Sequence, residues 1–536
     1  MSVVQHLAER VAQPFLLSWG WRRFILSLFA GAFASCAMPP FGAWPVLFLS
    51  LPVLVLLLDT SVVVERTGVW ARYSSFFFTL WWFYLGFFIA GMWWIAEAFL
   101  IEASKYAWMI PFAVLGLPAV LATLSAAISA LVAPLWRQGP RRVLLLAIAL
   151  ALSDFVRAYA FTGFPWNLIG LSFSNNVYLL QSASVFGVFG QSLVAAFVCA
   201  TPAVLISDNK GQARAVLTLS VVSLFSLWGF GFWHLQQTGK LAQELKVVVV
   251  QPNIAQTDKW KPENRDKLLP GYLKQTKAAL ASLDRQAKTL VVWPESAFPF
   301  LLARTPDAQA AIGDVLHENA YLMTGALRAD VSDGTTRFFN SVYTLNGDGA
   351  ILQSYDKVRL VPFGEFLPFH NLLSRLGIEK LVNAPSDFTA GQEYKTLGLP
   401  NGWLAQPLVC YEAIFPQTMM ALESRPQLLV NTTNDAWFGA SVGPAQHLAQ
   451  ARLRAVEQGV PMVRAANTGI SAIIDANGII SSEIPMNLSE TIVGNLSSIH
   501  QPTLYARYGN YNFLFLLLVF ISLYLVLGRV LPTRLD

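Results

Sequence analysis

Pro407-Leu408-Val409-Cys410-Tyr411-Glu412 sets one thiol at the end of a short apolar run, with an aromatic ring and a carboxylate directly behind it. Leu408 and Val409 read as the end of a buried strand, and Cys410 as the first residue of the turn leaving it. A side chain there is anchored by a sheet and faces a crevice, which suits a nucleophile. Two further segments end in the same way. Leu290-Val-Val-Trp-Pro-Glu-Ser296 presents Glu295, and Ser354-Tyr-Asp-Lys-Val-Arg-Leu-Val-Pro-Phe-Gly-Glu365 presents Lys357. A carboxylate, an ammonium and a thiol from three strand ends form a candidate acyl-transfer site.

The chain around these segments is built for lipid. Only 13% of its 536 residues are charged and its mean hydropathy is +0.48, whereas a soluble globular protein carries about 25% charge. Apolar runs fill residues 22–235 and 511–530, and the stretch between has ordinary soluble composition. The expected domains are residues 1–238, a transmembrane bundle of about seven helices; 239–505, a catalytic domain large enough for one good core; and 506–536, a last transmembrane helix with a tail.

A spanning helix needs about 20 mostly apolar residues. Eight candidates lie at residues 24–38, 44–58, 73–95, 110–135, 143–159, 177–206, 215–232 and 512–527. With the N-terminus inside, the inner ends collect Arg10, Arg22, Arg23, Arg66, Arg72, Arg137, Arg141, Arg142, Lys210, Arg214, Arg529 and Arg534, and the short outer loops hold only Lys105 and Arg157. That asymmetry places both termini in the cytoplasm and the soluble domain outside, which in a bacterium means the periplasm. The net charge of +5 therefore reflects membrane orientation, and nucleic acid is not an expected partner. Glu97, Glu102, Asp154 and Arg157 are the ionisable residues that a transport path would use, but all lie near predicted outer ends. Residues 160–171 form an aromatic, nearly uncharged outer loop suited to the membrane interface.

From Lys246 the pattern changes to strands at residues 246–250, 290–293, 321–325, 341–345, 351–355, 403–409, 428–432, 462–465 and 471–474. Helices are predicted at 264–283, 308–319 and 444–458. This alternation predicts an α/β sheet with helices packed on it.

A thiol is mostly protonated at neutral pH unless something takes its proton. Glu295 is the candidate base, Lys357 the candidate charge partner and oxyanion donor, and the Tyr411 N–H a second donor. Duller roles stand beside these: Cys410 as a small core residue, Glu295 as a turn cap, Lys357 as a solvated charge or half of an ion pair. Cys36 and Cys199 lie in apolar runs, which argues against a disulfide framework. No metal and no cofactor are expected, since no His/Cys ligand cluster is present.

The motifs Trp293-Pro-Glu295-Ser, Tyr355-Asp-Lys357 through Glu365 and Val409-Cys410-Tyr-Glu412 resemble the nitrilase superfamily, as do Asn431-Thr-Thr-Asn434-Asp435-Ala-Trp437-Phe438-Gly439 and Gln446-His447. With the apolar spans, Phe161-Thr-Gly-Phe-Pro-Trp166, Gln251-Pro-Asn253 and Trp260, the chain is similar to its membrane-embedded branch, the apolipoprotein N-acyltransferases. The resemblance implies an αββα sandwich with a Glu295-Lys357-Cys410 triad, supported by Glu365, Tyr411 and Glu412. It also implies substrate contacts at Trp260, Trp437 and Phe438. By the same resemblance, Cys410 takes an acyl chain from a phospholipid, expected to be phosphatidylethanolamine, and passes it to the α-amine of a diacylglyceryl apolipoprotein. The expected setting is the bacterial inner membrane, and the expected state a monomer. The rivals are a membrane-tethered amidohydrolase acting on a small amide, and a sensor or transporter with a degenerate domain.

Overall fold

The computed structural model describes residues 3–62, 69–237, 239, 244–332, 334–368, 371, 375, 387–399, 402–417, 422, 424–496 and 499–530. Arg66 and Arg534, counted above among the inner-end charges, lie outside the described residues. The chain divides into two compact units. One comprises residues 1–96, 108–237 and 507–536, and the other residues 97–107 and 238–506.

The first unit is helical. Among the described residues, six helical stretches are long and apolar enough to cross a membrane: Trp44–Ser61, Tyr73–Met92, Ala103–Leu135, Ala183–Ile206, Lys210–Leu235 and Tyr511–Val530. The other two predicted spans are helices that fall short of that standard. Trp21–Ala34 has 14 residues, about 21 Å at 1.5 Å per residue, against a hydrocarbon core of about 30 Å. Arg142–Tyr159 carries Arg142, Asp154 and Arg157. The predicted 177–206 span is broken: a short helix, Val177–Leu180, precedes Ala183–Ala200, in which Gly187 takes a left-handed φ of 64°.

Asp154 and Arg157 pair with each other in this unit. Arg157 Nη2 lies 2.9 Å from Asp154 Oδ1, and the guanidinium also donates to the carbonyls of Phe164, Trp166 and Asn167. Asp154 Oδ2 accepts from Ile169 N at 2.8 Å and Ser192 Oγ at 2.7 Å. Buried charges persist when paired and hydrogen-bonded, and this pair ties down the loop after the helix. Much of that loop is correspondingly interior: Trp166, Leu168, Ile169 and Leu171 are buried, while Phe161 is 90% exposed.

The second unit is a four-layer sandwich. Its strands are β1 (Lys246–Gln251), β2 (Thr289–Val292), β3 (Ala320–Ser332), β4 (Thr335–Leu345), β5 (Ile351–Asp356), β6 (Leu397–Gly398), β7 (Leu404–Val409), β8 (Leu428–Thr433), β9 (Met462–Ala466), β10 (Ser471–Ile474), β11 (Ile480–Ile484) and β12 (Glu490–Asn495). One sheet has the order β12-β1-β2-β3-β4-β5 and the other β11-β10-β9-β8-β7-β6. β1, β2 and β3 run parallel, as do β7, β8 and β9.

Both faces of the central strands are covered, which explains their unbroken apolar runs. Val247 and Val249 of β1 face the inter-sheet core with Leu290, Val292, Val409 and Val430. Val248 and Val250 face the other way, toward the layer holding helices Arg265–Leu280 and Pro306–Gly313. Leu408 and Leu429 meet helix Gly443–Gln458 on the outer face of the second sheet. Fully burying one such side chain is worth about 1.5–3 kcal/mol.

The predicted helix at 308–319 is confined to Pro306–Gly313, and the short strands at 321–325 and 341–345 are parts of one long hairpin, β3–β4. Its outer half, including Thr335, Thr336 and Arg337, is exposed and polar, so no apolar run marks it.

Candidate active site

Three strand ends supply the predicted triad. Glu295 follows β2 and Lys357 follows β5, both in the first sheet, while Cys410 follows β7 in the second. The turn Cys410–Ile414 begins at the cysteine itself. All three side chains are buried: Glu295 is 7% exposed, Lys357 1% and Cys410 8%. They act on one another's charge. The Cys410 pKa is pushed up by burial and by Glu295, with Lys357 opposing. Burial alone would lower the Lys357 pKa, but Glu365, Glu295 and Cys410 raise it overall. The resting site thus holds a protonated thiol beside a firmly charged ammonium.

Lys357 leans toward Glu365 more than toward Glu295. Its Nζ lies 3.0 Å from Glu365 Oε1 and 2.9 Å from Oε2, against 3.5 Å to Glu295 Oε1. Asn340, on β4, bridges the two carboxylates, donating through Nδ2 to Glu295 Oε1 at 2.7 Å and to Glu365 Oε1 at 2.8 Å. Glu365 also accepts from Val361 N at 2.8 Å.

Glu412 joins the two sheets at their ends. Its Oε1 accepts from the Tyr355 hydroxyl at 2.9 Å, Val358 N at 2.7 Å and Arg359 N at 3.2 Å. Its Oε2 accepts from Val409 N at 2.8 Å. One carboxylate therefore grips the backbone next to Lys357 and the backbone next to Cys410. Burial raises the Glu412 pKa to about 7, although the backbone N–H groups and Lys357 oppose it.

Two positions at the site take a left-handed backbone without being glycine. Cys410 has φ 49°, and Ser296, directly after Glu295, has φ 45°. Such residues cost about 1–3 kcal/mol each and persist where the surroundings over-determine them. Gly325 of β3 packs against the Glu295 turn, where an added Cβ would stand 2.6 Å from Glu295 Cα and from Ser296 N.

The remaining predicted residues flank this centre. Tyr411 is buried and packs edge-on to Phe415, ring centroids 4.9 Å apart. Trp260 is 36% exposed and follows the short helix Gln256–Lys259. Trp437 and Phe438 are half-buried on the turn Asp435–Phe438, and Phe438 meets the His447 ring edge-on. Asn340 and Lys259 were not legible as neighbours of this centre. Lys259 is buried beside Trp260, donates to the Glu295 carbonyl at 3.0 Å and has its pKa lowered to about 8 by burial, with Glu295 and Cys410 opposing. A lone lysine or asparagine in a mixed sequence carries no signal of burial. The one hint for Lys259 was its place directly before Trp260.

Known proteins match both parts of the chain. Residues 246–499 fit the carbon-nitrogen hydrolase family and residues 30–201 the apolipoprotein N-acyltransferase N-terminal domain. The apolipoprotein N-acyltransferase of Rhodopseudomonas palustris is 41% identical over 94% of this chain and 94% of its own length. That of Brucella suis is 40% identical over 92% of this chain and 94% of its own. Among solved structures, Saccharomyces cerevisiae Nit3, a member of branch 10 of the nitrilase superfamily, aligns with 49% of this chain and 93% of its own, at 19% identity and a TM-score of 0.36. The relatives are bacterial and the chain has several apolar helices, as an inner-membrane protein would. On this full-length likeness, the chain belongs to the apolipoprotein N-acyltransferase family of the nitrilase superfamily.

Proposed function

We propose that this chain is an apolipoprotein N-acyltransferase working by ping-pong acyl transfer through Cys410. The observation that carries the reading is the meeting of a buried thiol, carboxylate and ammonium at three strand ends in a chain rich in membrane-length apolar helices. Glu295 takes the Cys410 proton as the sulfur attacks an ester carbonyl of a phospholipid, phosphatidylethanolamine being the expected donor. Lys357 and the Tyr411 N–H hold the oxyanion. The intermediate collapses to a thioester, and the departing lysophospholipid oxygen takes the proton from Glu295. The α-amine of a diacylglyceryl apolipoprotein then attacks the thioester, gives up a proton to Glu295, and the thiol leaves reprotonated.

Both substrates are held in the bilayer by acyl chains, each methylene costing about 0.8 kcal/mol to expose. The proposal therefore includes a catalytic domain at residues 239–505 in the periplasm, membrane parts at 1–238 and 506–536, both termini in the cytoplasm, and a monomer. Glu365, Tyr411 and Glu412 are proposed as supporting residues. Trp260, Trp437 and Phe438 are proposed as substrate contacts.

Intact-protein mass spectrometry after incubation with phosphatidylethanolamine alone tests this. A hydroxylamine-labile acyl mass is expected on the wild type, absent from Cys410→Ala and discharged by a diacylated lipopeptide. No adduct and intact phospholipid would favour a small-amide hydrolase instead.

A further inference from the structure

We propose that His447 is a positioning residue for Cys410, its Nε2–H holding the Cys410 carbonyl and, through it, the left-handed backbone that aims the thiol. The inference rests on the reading of Cys410 as the nucleophile.

His447 comes from helix Gly443–Gln458 and is 1% exposed. Its Nε2 lies 3.0 Å from the Cys410 carbonyl oxygen. That oxygen only accepts, so Nε2 carries the proton. The other ring nitrogen, Nδ1, faces Arg464 Nη2 at 3.2 Å and Asp435 Oδ1 at 2.9 Å. Burial and Arg464 lower the His447 pKa, with Asp435 opposing. With Nε2 protonated for the Cys410 carbonyl, Nδ1 either accepts from Arg464 in a neutral ring or donates to Asp435 Oδ1 in an imidazolium, and both arrangements keep the Nε2–H bond.

The hold continues beyond the histidine. Asp435 accepts from Arg464 Nη2 at 2.6 Å and from the Thr433 hydroxyl at 2.9 Å. Arg464 also donates to Asn431 Oδ1, and Asn431 Nδ2 donates to the Leu408 carbonyl at 2.7 Å. One buried network thus grips the carbonyls on both sides of Val409, while Glu412 takes the Val409 N–H between them. Every backbone polar group named here lies within two residues of the sulfur-bearing position. Cys410 at φ 49° would relax without such a hold, and a reacting atom displaced by about 1 Å costs on the order of 100-fold in rate.

The test uses the full chain with phosphatidylethanolamine and follows the rate of acyl-adduct formation, the KM for phospholipid and the Tm. His447→Ala is expected to slow adduct formation by about 100-fold while leaving KM within about twofold. His447→Gln, whose amide N–H can still reach the carbonyl, is expected to recover at least about tenfold of that loss. A wild-type rate in His447→Ala would overturn the inference, as would a folded His447→Gln no faster than His447→Ala. If His447→Ala does not fold, His447→Gln decides: adduct formation near the wild-type rate supports the role, and its loss at an unchanged Tm overturns it. Absence of an adduct on the wild type would be a different failure, sinking the thioester reading and this inference with it.

Discussion

Asn340 donates its side-chain amide to Glu295 Oε1 at 2.7 Å, so the proposed base is aimed by a neutral donor as well as by a cation. A hydrogen bond to a charged group is worth about 1.5–3 kcal/mol. Asn340→Ala is therefore expected to slow acyl-adduct formation by about 10- to 100-fold. Asn340→Asp should be worse, because it sets a third carboxylate between Glu295 and Glu365. Single-turnover rates by mass spectrometry check the order, and an Asp variant faster than the Ala variant would contradict it.

Glu365 is the nearer anion to Lys357, and its charge is the largest influence raising the lysine pKa. Glu365→Gln keeps the shape and removes that charge, so the Lys357 pKa should fall. A raised lysine pKa keeps the ammonium present to higher pH; lowering it brings its loss to lower pH. The alkaline limb of the pH–rate profile for adduct formation is expected to move to lower pH. An unmoved limb would show that Lys357 does not depend on this carboxylate.

Glu412 gives a pH-dependent stability whose sign follows from its raised pKa of about 7. The folded protein holds that proton more tightly than the unfolded chain, where a glutamate titrates near 4.3. Its contribution is full below about pH 4, at roughly 4 kcal/mol, and is lost as the pH rises through about 7. Glu412→Gln removes this term. The wild-type Tm, taken relative to that of the Gln variant, should decline between about pH 5 and 7, and a flat difference would refute the raised pKa.

The parts of the fold that sequence revealed are those where burial is written in composition. Val247 to Val250 and Leu428 to Val430 are apolar because both faces of their strands are covered, so they read as strands. The edge strand β12, with Glu490 and Val493 toward solvent, and the exposed end of the β3–β4 hairpin carry no such mark. At the site, Cys410 and Glu295 stand out because each follows a short apolar run, whereas Lys357 follows Ser354-Tyr355-Asp356 and is marked only by the motif around it. Asn340 and Arg464 do not stand out, since their function depends on which strands lie side by side. β4 stands beside β5, and β9 beside β8, and these neighbours come from long-range pairing that no local spacing records.

Residues 97–107 belong to the same compact unit as the sandwich, although they are separated from it in sequence by more than a hundred residues. That compact unit is therefore not one continuous length of polypeptide. A gene trimmed to begin just before β1 would encode both sheets and the triad, yet omit a piece of the body that carries them. Attempts to make a water-soluble form for crystallisation or inhibitor screening should fuse that short segment back on, or retain the chain from its start.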